Sequence, residues 1–68
     1  MDAKKIGNKI RELRERAGYS KRFLAKKLGC SYSCCCSWEY GLRIPSDHAK
    51  KKIANFFNVP IDIFFEDD

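Results

Sequence analysis

At 68 residues, with 44% apolar residues and a net charge of +5, the chain has enough material for one folded unit, residues 1–68, with a modest core. A chain of this size buries only about three fifths of its unfolded surface. No apolar run approaches the ~20 residues of a bilayer span and no secretory leader is seen, so a membrane or exported protein is disfavoured and a cytoplasmic location is expected.

The charge is unevenly spread. All fourteen Lys and Arg lie between Lys4 and Lys52, while Asp62, Glu66, Asp67 and Asp68 follow the last of them. The body is therefore more basic than the total suggests. Such a body suits a polyanion, nucleic acid first and an anionic membrane surface second. Charge alone does not separate these from a merely solvated surface.

Helix 1 is predicted from about Ala3 to Ala17, with Asp2 as N-cap and Gly18 just past its end. Ile6, Ile10, Leu13 and Ala17 make its apolar stripe. Gly7 reads as a weak point in its first turns. Ser20 is the expected N-cap of helix 2, Lys21 to Leu28, and Ser31 that of helix 3, roughly Tyr32 to Tyr40. Leu24, Ala25 and Leu28 share one helical face, and Cys35 and Trp38 lie three apart on the next. Gly29 sits between the two helices, where a reversing chain needs positive φ. Two short helices joined by a tight turn, with small Ala25 at the crossing, have the pattern of a helix-turn-helix. Gly41 closes helix 3. Ser46 caps helix 4, whose inner face is Ala49, Ile53, Phe56 and Phe57, and Asn58 takes the left-handed turn after it. Lys50, Lys51 and Lys52 read as a solvated basic face, with a phosphate contact as the alternative. Pro60 to Phe65 reads as a short fifth helix.

Four pieces in one order and spacing, IGNKIRELRERAGYS, FLAKKLGCSYS, SWEYGLRIPS and KIANFFNVPIDIFF, cover Ile6 to Phe65. In these the chain resembles the XRE or lambda-repressor-like (Cro-type) helix-turn-helix family of bacterial and phage regulators. The resemblance implies an all-α, compact five-helix fold in which helix 3 enters the major groove of double-stranded DNA. The family's base readers fall at Tyr32, Ser33, Cys36 and Ser37. Lys21 stands where the family often has a Gln that meets phosphate, and Arg22, Ser31, Tyr40 and Arg43 join the implied contact set. Arg14 and Glu39 match positions that commonly form a partly buried ion pair between helices 1 and 3.

One departure bears on specificity. The outward face of helix 3 carries no Gln, Asn, Arg or Lys, the residues that make bidentate bonds to adenine or guanine. Hydroxyl and thiol groups make single, less selective bonds, so weak base discrimination is expected. The cysteines, Cys30, Cys34, Cys35 and Cys36, are too clustered for a disulfide framework. Cys30 and Cys35 stand where the family usually has Val and Ile and read as small hydrophobes. Successive helical residues point about 100° apart, so Cys34, Cys35 and Cys36 do not converge on one metal ion. A redox role at Cys34, in the first turn of helix 3, is the alternative.

No nucleophile–base pair, carboxylate pair or phosphate-cradling loop is visible. Neither an enzyme nor a cofactor nor a small-molecule domain is expected. The expected function is a small transcriptional regulator, a repressor that occludes a promoter. Phe64 and Phe65 offer a C-terminal homodimer contact or, equally, intramolecular packing. The competing reading is a protein-interaction module on the same fold, antitoxin-like or degenerate, with a thiol-responsive sensor third.

Overall fold

The computed structural model describes residues 2–65. Four α-helices follow in order: α1 Ala3–Ala17, α2 Lys21–Leu28, α3 Tyr32–Glu39 and α4 Asp47–Phe57. Among the described residues one 3-10 turn, Ile61–Phe64, follows them. This corrects the five-helix expectation. Between Asn58, which turns through the left-handed region at φ 56, and Phe65, only four residues take helical geometry. They close with i→i+3 bonds, Ile63 N–H to the Pro60 carbonyl and Phe65 N–H to that of Asp62, and make one turn.

Each α-helix starts at a side-chain cap. Asp2 Oδ1 accepts from Lys4 N–H at 2.9 Å, Ser20 Oγ from Phe23 N–H at 3.1 Å, Ser31 Oγ from Cys34 N–H at 3.0 Å and Ser46 Oγ from Ala49 N–H at 3.1 Å. These satisfy donors that a helix leaves open, each contributing roughly 1 kcal/mol. Gly18, Gly29 and Asn58 end α1, α2 and α4 in the left-handed conformation, each with paired bonds back onto the last turn.

The core is Ile6 and Ile10 of α1, Leu24, Ala25 and Leu28 of α2, Cys35 and Trp38 of α3, Ile53 and Ala54 of α4, and Phe64. Ala17, read as the end of the α1 stripe, is exposed, and Ala54, not singled out, is buried. The stripe drifts because α1 outruns the elements it packs on. Phe64 is fully buried, so it is not an exposed aromatic available to a partner. Tyr19 joins the cluster's edge, its ring 4.7 Å from Phe23 and 5.7 Å from Phe56.

Two residues correct the sequence reading for physical reasons. Lys50, expected on a solvated face, is 2% exposed. Its ammonium sits 4.2 Å over the Phe65 ring and 4.0 Å from Asp47 Oδ1, and its methylene stem fills core volume. Lys51 and Lys52 are exposed, and Lys52 Nζ donates to the Leu28 carbonyl at 3.2 Å, at the negative end of α2. Gly7 is not a weak point. A Cβ there would lie 2.2 Å from the Trp38 carbonyl oxygen and 2.9 Å from that of Glu39. Its missing side chain lets α1 cross the C-terminal end of α3 backbone to backbone.

Candidate nucleic-acid interface

The orientation of α3 is fixed from its inner side. Glu39, 2% exposed, receives Arg14 in a two-pronged contact: Nε donates to Oε2 at 2.7 Å and NH2 to Oε1 at 3.0 Å. Arg14 NH1 donates to the Tyr19 carbonyl at 2.8 Å, tying the same guanidinium to the entry of α2. Arg11 completes the cluster, its Nε 3.7 Å from Glu39 Oε1 and its NH2 donating to the Glu39 carbonyl at 3.2 Å. The hydrogen bonds to Glu39 push the Arg14 pKa up, against the opposing effect of burial. Sequence reasoning did not single out Arg11. Its place one turn before Arg14 is the only signal, and it becomes readable once Glu39 is known to lie beneath.

Cys35 lies beside this cluster, fully buried, its Sγ 4.0 Å from Glu39 Oε2. Burial first, and the Glu39 carboxylate second, push its thiol up to about 12. It stays neutral and packs as a hydrophobe. Cys30 is half-buried, and burial first, with the neighbouring Cys34 thiol second, raises it too. Among the described residues no three His, Cys, Asp or Glu side chains gather as a metal site. A cleft of about 170 Å³ is lined by Leu28, Gly29, Cys30, Trp38, His48, Ala49 and Lys52. It is smaller than the roughly 300–1,000 Å³ of ordinary ligand sites and includes none of the candidate contact residues.

The outer side of the α2–α3 pair carries the candidate residues. The three-residue turn Gly29–Cys30–Ser31, with Gly29 at φ 74, sets α3 against α2 and leaves Tyr32, Ser33 and the Ser31 cap exposed. Cys36 and Ser37 follow one turn on, half-buried. The Ser37 carbonyl accepts from the backbone N–H groups of Leu42 at 2.9 Å and Arg43 at 3.3 Å, which brings Arg43, exposed, back beside the end of α3.

Two pairs organise this surface. Lys21 Nζ donates to the Tyr40 hydroxyl at 3.1 Å and lies 4.6 Å from the ring centre, and that bond raises the Lys21 pKa. The Arg22 guanidinium lies 4.7 Å over the Tyr32 ring. The neighbouring Cys36 thiol raises the Tyr32 pKa. Lys21 thus meets Tyr40 and Arg22 meets Tyr32, while Ser33 and Arg43 are exposed. Leu42 and Ile44, absent from the candidate set, stand 74% and 46% exposed on the loop that follows.

An all-helical chain with a capped α2–turn–α3 pair, braced from α1 and fringed with cations, defines the class of helix-turn-helix proteins. The helix-turn-helix family model matches residues 10–64, and the chain belongs to this family, in its XRE-type branch of transcription regulators. It is 29% identical over 63 residues to the HTH-type transcriptional regulator ImmR of Bacillus subtilis, covering 93% of this chain and 50% of that one. The chain therefore spans about half the length of that curated relative. Among solved structures it is similar to the restriction-modification controller protein C.AhdI from Aeromonas hydrophila, with a TM-score of 0.84 at 30% identity over 93% of this chain and 96% of that one. It is similar also to SinR, the Bacillus subtilis master regulator for biofilm formation, in a crystal structure with DNA, with a TM-score of 0.82 at 31% identity over 90% and 98%. No helix among the described residues is long and apolar enough to cross a membrane.

Proposed function

We propose that this chain binds double-stranded DNA and regulates transcription, with α3 laid in the major groove, as a repressor that covers a promoter in the cytoplasm. The observation that carries the reading is the two-sidedness of α3. Its inner side is fixed by Glu39 on Arg14 and Arg11, and its outer side is exposed between Lys21, Arg22 and Arg43. Phosphate contacts from Lys21 and Arg43, and N–H groups at the N-termini of α2 and α3, supply affinity and register. Tyr32, Ser33, Cys36 and Ser37 face the bases. The similarity to a structure solved with DNA supports this assignment.

Two copies related by a two-fold axis would set their α3 helices about 34 Å apart and demand a pseudo-palindromic site. With Phe64 inside the core, Phe65 is the remaining C-terminal aromatic for that contact. The exposed Leu42 and Ile44 favour the competing protein-partner reading.

The test is a titration against a mixed-sequence duplex in reducing buffer at several salt concentrations. The affinity falls with salt at a log–log slope of about −2 or steeper per copy, since each neutralised phosphate contributes about −0.9. A folded protein that binds no duplex at low salt overturns the DNA reading and leaves the protein-partner one.

A further inference from the structure

We propose that Arg22, carried on the Tyr32 ring, selects the base at this surface by reading a guanine through its O6 and N7 atoms; the inference rests on the DNA-binding reading above. Arg22 belongs to α2, not to the helix that fills the groove. Its role follows from what the outer face of α3 holds and lacks. Tyr32, Ser33, Cys36 and Ser37 include no side chain able to make two parallel hydrogen bonds to one base. Tyr32, the largest of them, presents its ring face to α2.

The Arg22 guanidinium occupies that face, 4.7 Å from the ring centre. Stacking uses the flat side of the guanidinium and leaves its N–H edge available in plane. Guanine presents O6 and N7 in the major groove at the spacing of that fork, and arginine to guanine is the commonest specific contact there. The neighbouring cation, Lys21, lies instead beside Tyr40, 3.1 Å from its hydroxyl, where it serves the DNA backbone. Arg22 is exposed, and among the described residues no carboxylate pairs with it. The stack holds a long side chain over the N-terminus of α3 before DNA arrives, which lowers the ordering cost on binding. Base selection is then concentrated on one guanine per copy, and the hydroxyl-lined remainder of the face adds little.

The experiment selects duplexes from a randomised pool with the wild-type chain. It then measures the best duplex, and the same duplex with 7-deazaguanine at each guanine in turn, against wild type, Arg22→Met, Tyr32→Phe and Tyr32→Leu. One guanine should dominate each half-site. Its 7-deaza form should weaken wild type roughly tenfold or more, the scale of a bidentate base contact. The same replacement should leave Arg22→Met nearly unaffected, because the methionine variant has no donor left for N7. Tyr32→Phe should keep the guanine preference and Tyr32→Leu should lose most of it, with melting curves showing both folded. Loss of affinity in Arg22→Met that is equal for guanine-containing and mixed-sequence duplexes overturns the proposal, and assigns Arg22 to phosphate. Retention without any enriched guanine also overturns it while leaving DNA binding standing. No retention of any duplex by the wild-type chain overturns both.

Discussion

The inner side of α3 presents Cys35, Trp38 and Glu39, all buried, to a close-packed crossing with α1 and to α2. The outer side presents Tyr32 and Ser33 to solvent, with Cys36 and Ser37 half-buried. Both sides use arginine, to different ends. Inside, Arg14 meets a carboxylate with no exposed surface of its own, and losing either partner strands a charge. Outside, Arg22 lies on a ring in water, in a contact that orients it without burying it. The same helix is thus rigid where it must hold its angle and sparsely committed where a ligand would have to displace what covers it.

The largest expected effect lies inside. Glu39→Gln leaves Arg14 and Arg11 without their carboxylate and should cost about 3 kcal/mol or more. In a domain of this size that lowers the melting temperature by about 12 °C or more, measurable by circular dichroism. Glu39→Met with Arg14→Met should be more stable than Glu39→Met alone, because no buried charge is left over. The reverse order would mean the pair is not what fixes α3.

Next is the backbone crossing. At an exposed helical site Gly→Ala stabilises by roughly 1 kcal/mol. At Gly7 the added Cβ meets the Trp38 carbonyl at 2.2 Å, so the helices must part. Gly7→Ala should destabilise by about 1–3 kcal/mol. A gain in denaturant midpoint would contradict the close approach.

A pH effect of similar size over the first units above pH 9 follows from Cys35. Its folded pKa, about 12, lies above the value near 9 of a free thiol, so the folded state keeps a proton that the unfolded chain gives up. The stability this contributes is fully present below about pH 9 and is lost as pH rises from there towards 12. Each unit crossed is about 1.4 kcal/mol at most. Cys30, also raised, acts in the same direction. Cys35→Ala should lower stability at neutral pH and flatten the decline between pH 8 and 10. An unchanged decline would place its source elsewhere.

The smallest effects on stability belong to the outer side. Lys21→Met and Tyr32→Ala should each change unfolding free energy by about 0.5 kcal/mol. A large loss of stability in either would erase the contrast between the two sides.

Much of the frame is legible in the residues. Asp2, Ser20, Ser31 and Ser46 are short polar side chains at the head of apolar periods, and capping is a local interaction that local sequence reports. Gly18, Gly29 and Asn58 end helices for equally local reasons. What stayed hidden depends on partners distant in sequence. Gly7 looked like a helix weakener because the carbonyls it faces belong to residues 38 and 39. Lys50 looked solvated because its seat is formed by Phe65. Phe64 looked available because an aromatic in the last turn gives no sign of which side the turn packs. Of the candidate interface, the outward placement of Tyr32 and Ser33 follows from helical spacing. The pairings do not: the sequence does not say that Lys21 goes to Tyr40 while Arg22 goes to Tyr32.

The most direct test of the central claim is to titrate the 15N-labelled chain with a short duplex and follow its backbone amide resonances. The account predicts shifts confined to the start of α2 around Lys21 and Arg22, to Ser31–Ser37, and to Tyr40–Arg43. The far side of the fold, around Lys9, Leu13 and Ile63, should stay in place. Shifts centred on Ile63 and Phe65, or none at all at low salt, would contradict it.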